Sequence, residues 1–397
     1  MSTPIPVANE HASALLNVGG VNLTSSAVDD GSVTKDWQLI DSWVSSDTVT
    51  SLADLLLSEP DFRMSEQLHR YLTPVLIIIG NFSNLLALLV LRRKNLRQHS
   101  ACFYMSAYAI ANLLVLNLVS GVAWLCYILQ KPYIATLSDW GCGLWTFMAN
   151  VMIYSGIWFV VAMTIDRYVL LCYPNKALTM CTVFTAKVSS VFIMIGLVVI
   201  SVHAMWTYQL QEHGCFIPYH MKDLHILIWP WMSATFYSYL PLLLLFHLNI
   251  CLMVSLCLKR HRLRPTIQAD GGDDFIVITL IISMSFFALA VPATIINLID
   301  IHAPSSWLNA KLIAQIELTK KVTGILSAAN QAVLGYLLLI CSKTFRTEFA
   351  RFFTDLTIKR RPKVYEMRNM SGNDDSSRIH VEYEICSDGT RAITTTL

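Results

Sequence analysis

LWTFMANVMIYSGIWFVVAMTIDRY, residues 144–168, is the stretch that decides the fold. Residues 144–165 contain no Asp, Glu, Lys or Arg. A helix rising 1.5 Å per residue needs ~20 such residues to cross a hydrocarbon core of ~30 Å. Asp166 and Arg167 then fall at the membrane boundary, at the foot of the span. Six other stretches read the same way: 71–91, 101–129, 188–210, 226–258, 275–299 and 322–341. With 54% hydrophobic and 14% charged residues, the chain reads as an all-α membrane protein, a seven-transmembrane helix bundle.

The loops give the orientation, because Lys and Arg are retained on the cytoplasmic side. Arg92, Arg93, Lys94 and Arg97 follow the first span, and Arg167, Lys176 and Lys187 lie along the second inside loop. Lys259, Arg260, Arg262 and Arg264 form the third, and Lys343, Arg346 and Arg351 follow the seventh span. This places the N-terminus outside and the C-terminus inside. The net charge of +2 does not point to nucleic acid, since the basic residues set topology and meet membrane lipid. Three regions follow: a flexible outside leader (1–70), the bundle (71–353) and a disordered inside tail (354–397). No basic segment followed by an apolar run opens the leader, so the first span is expected to serve as the membrane signal. Asn22-Leu23-Thr24 is a glycosylation signal on the outer side. The matches at Asn81 and Asn369 fall in a span and in the tail, and read as chance.

Ten cysteines do not form a disulfide framework here, because most lie within spans or face the reducing side. Cys142, at the outer end of the third span, and Cys215, in the loop after the fourth, are best placed to join. The alternative is two free boundary thiols. Cys341, at the inner end of the last span, is a palmitoylation candidate or an inert packed thiol.

The spans hold no ionisable carboxylate or amine, which argues against ion-coupled transporters, pumps and voltage sensors. No HExxH, GxSxG or paired intramembrane aspartate is present, so an enzyme has nothing to stand on and no cofactor is called for. Neutral amides occur instead: Asn84, Asn112 and Asn330, which either glue helices or take part in switching. Pro241 and Pro292 each remove a backbone hydrogen bond inside a span and provide pivots. The arrangement suits a protein in which an outside ligand biases a helix rearrangement that opens an inside surface.

In the order and spacing of these features, residues 71–353 resemble the rhodopsin-like class of G protein-coupled receptors. Asp166-Arg167-Tyr168 stands where that family has its DRY motif, with Arg167 twenty-five residues after Cys142. Asn84, Pro241, Phe286 and Pro292 match residues of the first, fifth and sixth helices. Residues 342–353 resemble the short amphipathic eighth helix on the inner leaflet. The resemblance implies coupling to a heterotrimeric G protein through Asp166, Arg167 and Tyr168, and arrestin as a further partner.

Departures from the pattern are informative. Asn112 replaces an aspartate and Gly156 a serine, so the class's sodium pocket is expected to be lost. Leu334, Gly335 and Leu338 replace the asparagine, proline and tyrosine of NPxxY, and Ala290 replaces the sixth-helix tryptophan. Ala149 stands where amine receptors have an aspartate, and Ala328 where opsins have the retinal lysine. By resemblance the outward pocket is lined by Asn150, Tyr154, Trp229, Trp231, Asn297, Asp300, Glu317, Lys320 and Lys321. Mixed rim charge over an aromatic floor suits a peptide. The stretch PLLLLFHLN, residues 241–249, looks like that of invertebrate FMRFamide-type neuropeptide receptors. Two readings stand: a plasma-membrane neuropeptide receptor signalling to G proteins, or a seven-helix scaffold that traffics or tethers partners. Two further expectations concern the inner side: Asp273 or Asp274 as second partners for Arg167, and Thr395-Thr396-Leu397 as a PDZ-domain ligand.

Overall fold

The computed structural model describes residues 55–132, 134–211, 214–216, 235–262, 272–302 and 310–358. Asn22, Trp229, Trp231 and the PDZ-like terminus lie outside them. Six described helices are long and apolar enough to cross a membrane, and a seventh span is a bent pair. The first helix, Pro60–Leu91, begins eleven residues before the apolar run, with Pro at its first position and Asp61 in its first turn. Both residues favour a helix start, and neither is visible to hydropathy. Phe62 and Glu66 in these added turns are buried.

The second span runs Ser100–Leu114, passes through a π turn at Val115–Gly121 and resumes as Val122–Leu129. Inside the π turn the Asn117 amide donates to the Leu113 carbonyl at 2.8 Å. A side chain competing for an i−4 carbonyl in this way favours the looser winding. The third helix, Asp139–Cys172, is the hub. Ser138 caps it by accepting from the Gly141 amide at 3.0 Å. Its apolar window is 56% buried against 17% for the fourth helix, and it packs on the second, fourth, fifth and sixth spans.

The fourth helix, Val183–Ser201, is capped by Thr182 and followed by the short turn Ala204–Thr207. The residues read as the end of that span instead form β1 (Gln209–Gln211), which pairs antiparallel with β2 (Gly214–Phe216). The strand is anchored from outside the fourth helix: the Leu210 amide donates to Asp139 at 3.2 Å. The fifth span is described from the π turn Thr235–Tyr239 into Leu240–Arg262, so Pro241 sits at the π-to-α junction. The sixth, Gly272–His302, contains Pro292.

The seventh span is Ala310–Ala332 and Leu334–Cys341, bent by 52° at Val333. The bend has a source on the first helix. In an unbroken helix the Gly335 amide would bond the Gln331 carbonyl. Here Gly335 donates to Ser83 Oγ at 2.8 Å, and the Gln331 carbonyl accepts from Asn84 Nδ2 at 2.8 Å. Both halves of one helical bond are taken over by neighbouring residues of another helix. Glycine is required for the approach, since a Cβ at 335 would lie 2.3 Å from the Ser83 carbonyl oxygen. Gly335→Ala is therefore expected to destabilise the bundle by ~1–3 kcal/mol, towards the upper end because the clash is with backbone. A thermal midpoint in detergent equal to wild type would contradict this packing.

Residues Thr344–Leu397 form a separate compact unit, described through the eighth helix, Lys343–Ile358. Phe345 is buried, Phe349, Phe352 and Phe353 cluster edge to face, and Arg351 pairs with the buried Glu348 at 2.7 Å. The apolar and charged faces are those of an amphipathic interfacial helix.

Candidate functional site

At the inner end of the third helix Asp166 and Arg167 are both buried, with 8% and 4% exposure. Arg167 donates through Nε to Asp166 Oδ2 at 3.0 Å, and its Nη2 bonds the same oxygen. The same Nη2 donates to Ser100 Oγ at 2.8 Å, while that hydroxyl donates to Asp166 Oδ2 at 2.9 Å. A closed three-member ring thus ties the third helix to the first residue of the second. Two charges withdrawn from water need such additional bonds. Ser100 was missed in the sequence, where a serine at the start of a span reads as an ordinary cap.

The second partner expected for Arg167 on the sixth helix is not found among the described residues. Asp274 instead accepts from Ser342 Oγ at 2.9 Å, joining the sixth helix to the end of the seventh, and the Asp273 side chain lies outside the description. Tyr168 stacks edge to face on Tyr173 at 6.1 Å. Burial first, and the Arg167 charge second, push the His99 imidazole below its usual pKa, which favours its neutral form. Cys181, whose thiol donates to the Asp166 carbonyl at 3.3 Å, is pushed up to about 11 by burial and then by the Asp166 charge.

In the middle of the bundle Asn84 and Asn112 are bonded at 3.2 Å, and Asn330 donates to the Tyr108 hydroxyl at 3.3 Å. A cavity of about 160 Å³ opens here, lined among others by Asn112, Tyr154, Gly156, Phe286 and Asn330. A Cβ at Gly156 would meet the buried Tyr108 ring at 3.5 Å, an ordinary contact, so the packing there does not demand glycine. Asn249 and Ser283, also missed in the sequence, are buried and bonded at 2.7 Å between the fifth and sixth helices. The cavity's named polar groups are amides and a phenol, which give a sodium ion no compensating charge. Equal thermal midpoints in NaCl and KCl at matched ionic strength are therefore expected, with a small Na⁺-specific rise appearing in Asn112→Asp. A Na⁺-specific effect on the wild-type chain would contradict this.

Towards the outer end, Asn150 lies one turn above Tyr154 on the third helix. Glu317 is buried and paired with Lys320 at 3.3 Å in the outer turns of the seventh helix, which also carry Lys321. Asn297 and Asp300 belong to the outer turns of the sixth helix, and their side chains are outside the description. Cys142 and Cys215 form a disulfide with a Cα–Cα distance of 5.4 Å, fastening β2 to the top of the third helix. Tyr154, Phe286, Asn112 and Asn330 are thus brought to one cavity, and the rim charges of the seventh helix lie apart from it.

Seven spans around a central third helix, a third-helix-to-loop disulfide and a buried Asp-Arg pair at the inner end define a membrane receptor of one family. The model of the 7 transmembrane receptor (rhodopsin family) matches residues 83–333, and the chain belongs to that family. It is 33% identical to the thyrotropin-releasing hormone receptor of Gallus gallus over 35% of each chain. A probable G-protein coupled receptor of Caenorhabditis elegans is 23% identical over 76% of this chain and 74% of its own. The type-1 angiotensin II receptor of Oryctolagus cuniculus is 22% identical over 57% of this chain and 64% of its own. The match to the hormone receptor spans about a third of that protein's length.

Proposed function

We propose that this multi-pass membrane protein is a plasma-membrane receptor, N-terminus outside, which binds an extracellular peptide and signals to a heterotrimeric G protein. The observation that carries the reading is the Asp166-Arg167-Ser100 ring at the inner end, a closed and buried latch whose release would present Arg167 to a cytoplasmic partner. Relatives named as receptors for thyrotropin-releasing hormone and for angiotensin II support a peptide ligand. So do the rim charges Glu317, Lys320 and Lys321 above the cavity residues Tyr154 and Phe286. We assign Asn150, Trp229, Trp231, Asn297 and Asp300 to the same pocket. The narrower likeness to FMRFamide-type neuropeptide receptors rests on residues 241–249 and the short third inside loop.

The test is a peptide-library screen in cells expressing this chain, read by G protein dissociation. A response abolished by Arg167→Ala supports the reading. Surface-expressed protein that binds a peptide yet never dissociates a G protein favours the scaffold, a reading encouraged by Leu334, Gly335 and Leu338 in place of NPxxY.

At the tail we assign Leu397 to an apolar PDZ pocket, its carboxylate to backbone N–H groups and Thr395 to a side-chain bond. Ser371, Ser376 and Ser377 beside Asp374 and Asp375 are the sites at which phosphate would recruit a basic partner surface such as arrestin's. Appending one Gly after Leu397 is expected to abolish capture by PDZ domains, and a pull-down unchanged by the extension removes that assignment.

A further inference from the structure

With Arg167 turned to Asp166 and Ser100, the foot of the sixth helix is held, among the described residues, by other contacts. Two consecutive positions make them. Asp274 accepts from the buried Ser342 hydroxyl at 2.9 Å, which ties it to the end of the seventh span. The Phe275 ring, 2% exposed, meets the His99 imidazole with centroids 5.1 Å apart and planes tilted by 43°. That separation lies inside the range of roughly 4.5–7 Å over which aromatic pairs attract.

His99 stands immediately before the second helix, Ser100–Leu114, at the position where a Ser, Asn or Asp would cap the first turn with its side chain. The imidazole makes no capping bond. Its backbone is pinned on both sides: the His99 amide donates to the Leu96 carbonyl at 3.1 Å, and its carbonyl accepts from the Phe103 amide at 3.3 Å. Leu96 is fully buried. The ring is thus carried on a fixed stem against a sixth-helix side chain, one residue from the hydroxyl that closes the Asp166–Arg167 ring. Burial and the Arg167 charge both favour the neutral imidazole, the form suited to packing on an apolar ring. Phe275 lies seventeen residues before Pro292, ~25 Å along the sixth helix at 1.5 Å per residue. On that lever a swing of ~10° away from the second helix carries the ring by ~4 Å and parts it from His99.

We propose that His99 is a positioning residue that holds the foot of the sixth helix closed through Phe275. Beside it Ser100 holds the foot of the third helix, so the start of the second helix is one clasp for both. A partner that draws Arg167 from Ser100 loosens the residue next to His99, and the two helices are released together. The inference rests on the receptor reading above and adds what restrains its resting state.

The test uses the full-length protein in lipid nanodiscs, without ligand or G protein. Spin labels on unnatural amino acids in place of Val277, on the sixth helix, and of Phe184, exposed on the fourth, report their separation by pulsed electron resonance. The wild type is expected to show one predominant short distance. His99→Ala should raise the ratio of long to short distances about two- to tenfold, the factor that one aromatic pair supplies. His99→Phe, which restores a ring, should return it to the wild-type value. Should His99→Ala not fold, Phe275→Leu keeps the apolar bulk, loses the ring and must open the foot by the same factor. An unchanged distribution in the variant that folds overturns the proposal, and so does a His99→Phe protein as open as the ring-deleted one. Nucleotide exchange on a reconstituted G protein is then read on the same samples. Opening without exchange supports the clasp and overturns the receptor reading instead.

Discussion

Asp166→Ala is expected to lower the stability of the folded bundle by about 3–5 kcal/mol, the usual cost of leaving one member of a buried ion pair behind. Arg167 would keep only its bond to Ser100, and at 4% exposure it has little water to replace the carboxylate. The inner membrane boundary is close, and a guanidinium on its long stem can partly swing towards it, which pulls the cost to the lower end of that range. Asp166→Asn should cost less, because an amide oxygen still accepts from Arg167. Ser100→Ala should cost less again, since it removes one bond and leaves the charges paired. On the proposed function the order of rising ligand-free nucleotide exchange on a reconstituted G protein should be the same: Ser100→Ala, Asp166→Asn, Asp166→Ala. Thermal midpoints in detergent check the first ranking independently of the second. A variant as stable as the wild type would mean that the ring does not hold the helices together.

The sequence announces what depends on hydropathy and hides what depends on contacts between distant residues. All seven spans are legible because each is an uncharged run of about the required length. The ends of the first and seventh are not, because Pro60 to Arg70 and Ala310 to Lys321 form helical turns that carry charge. The fourth span reads too long at its end because Gln209 and Leu210 follow an uncharged run without a break, yet a strand pairing and Asp139 claim them. The bend at Val333 has no local signal. Its causes are Ser83 and Asn84, some 250 residues away, and the glycine at 335 gains meaning only beside them. The same holds for Asn81, which reads as a stray glycosylation match until Asn117 is placed against it. For the site, Asp166 with Arg167 and the two cysteines are visible as pairs at set positions. Ser100, Asn249 and Ser283 are not, since a lone serine or asparagine carries no pattern.

Removing the disulfide is expected to be the other large perturbation. The bond closes a 73-residue separation, for which the chain-entropy model gives ~4 kcal/mol. That figure is an upper bound here. The third and fourth spans remain inserted in the membrane when the bundle loosens, so the open chain is far from a free coil and the true cost should fall nearer 2 kcal/mol. The local effect is larger than the global one. β1 and β2 pair over only three residues each, and a two-stranded ribbon of that size does not hold on its own in water. Without the bond, the polar ties left between these strands and the third helix include the exposed Leu210 amide to Asp139 and a weak 3.8 Å contact of Thr146 with Cys215. Cys215→Ser should therefore release the hairpin, reduce surface delivery and cut ligand affinity more than it lowers the thermal midpoint. Cys142→Ser should do the same, and the double variant should be no worse than either single one, because all three lose one shared bond. Mass spectrometry of the non-reduced protein gives the direct check: the two cysteine peptides should appear linked, and finding both thiols free would remove the hairpin's anchor and the prediction with it.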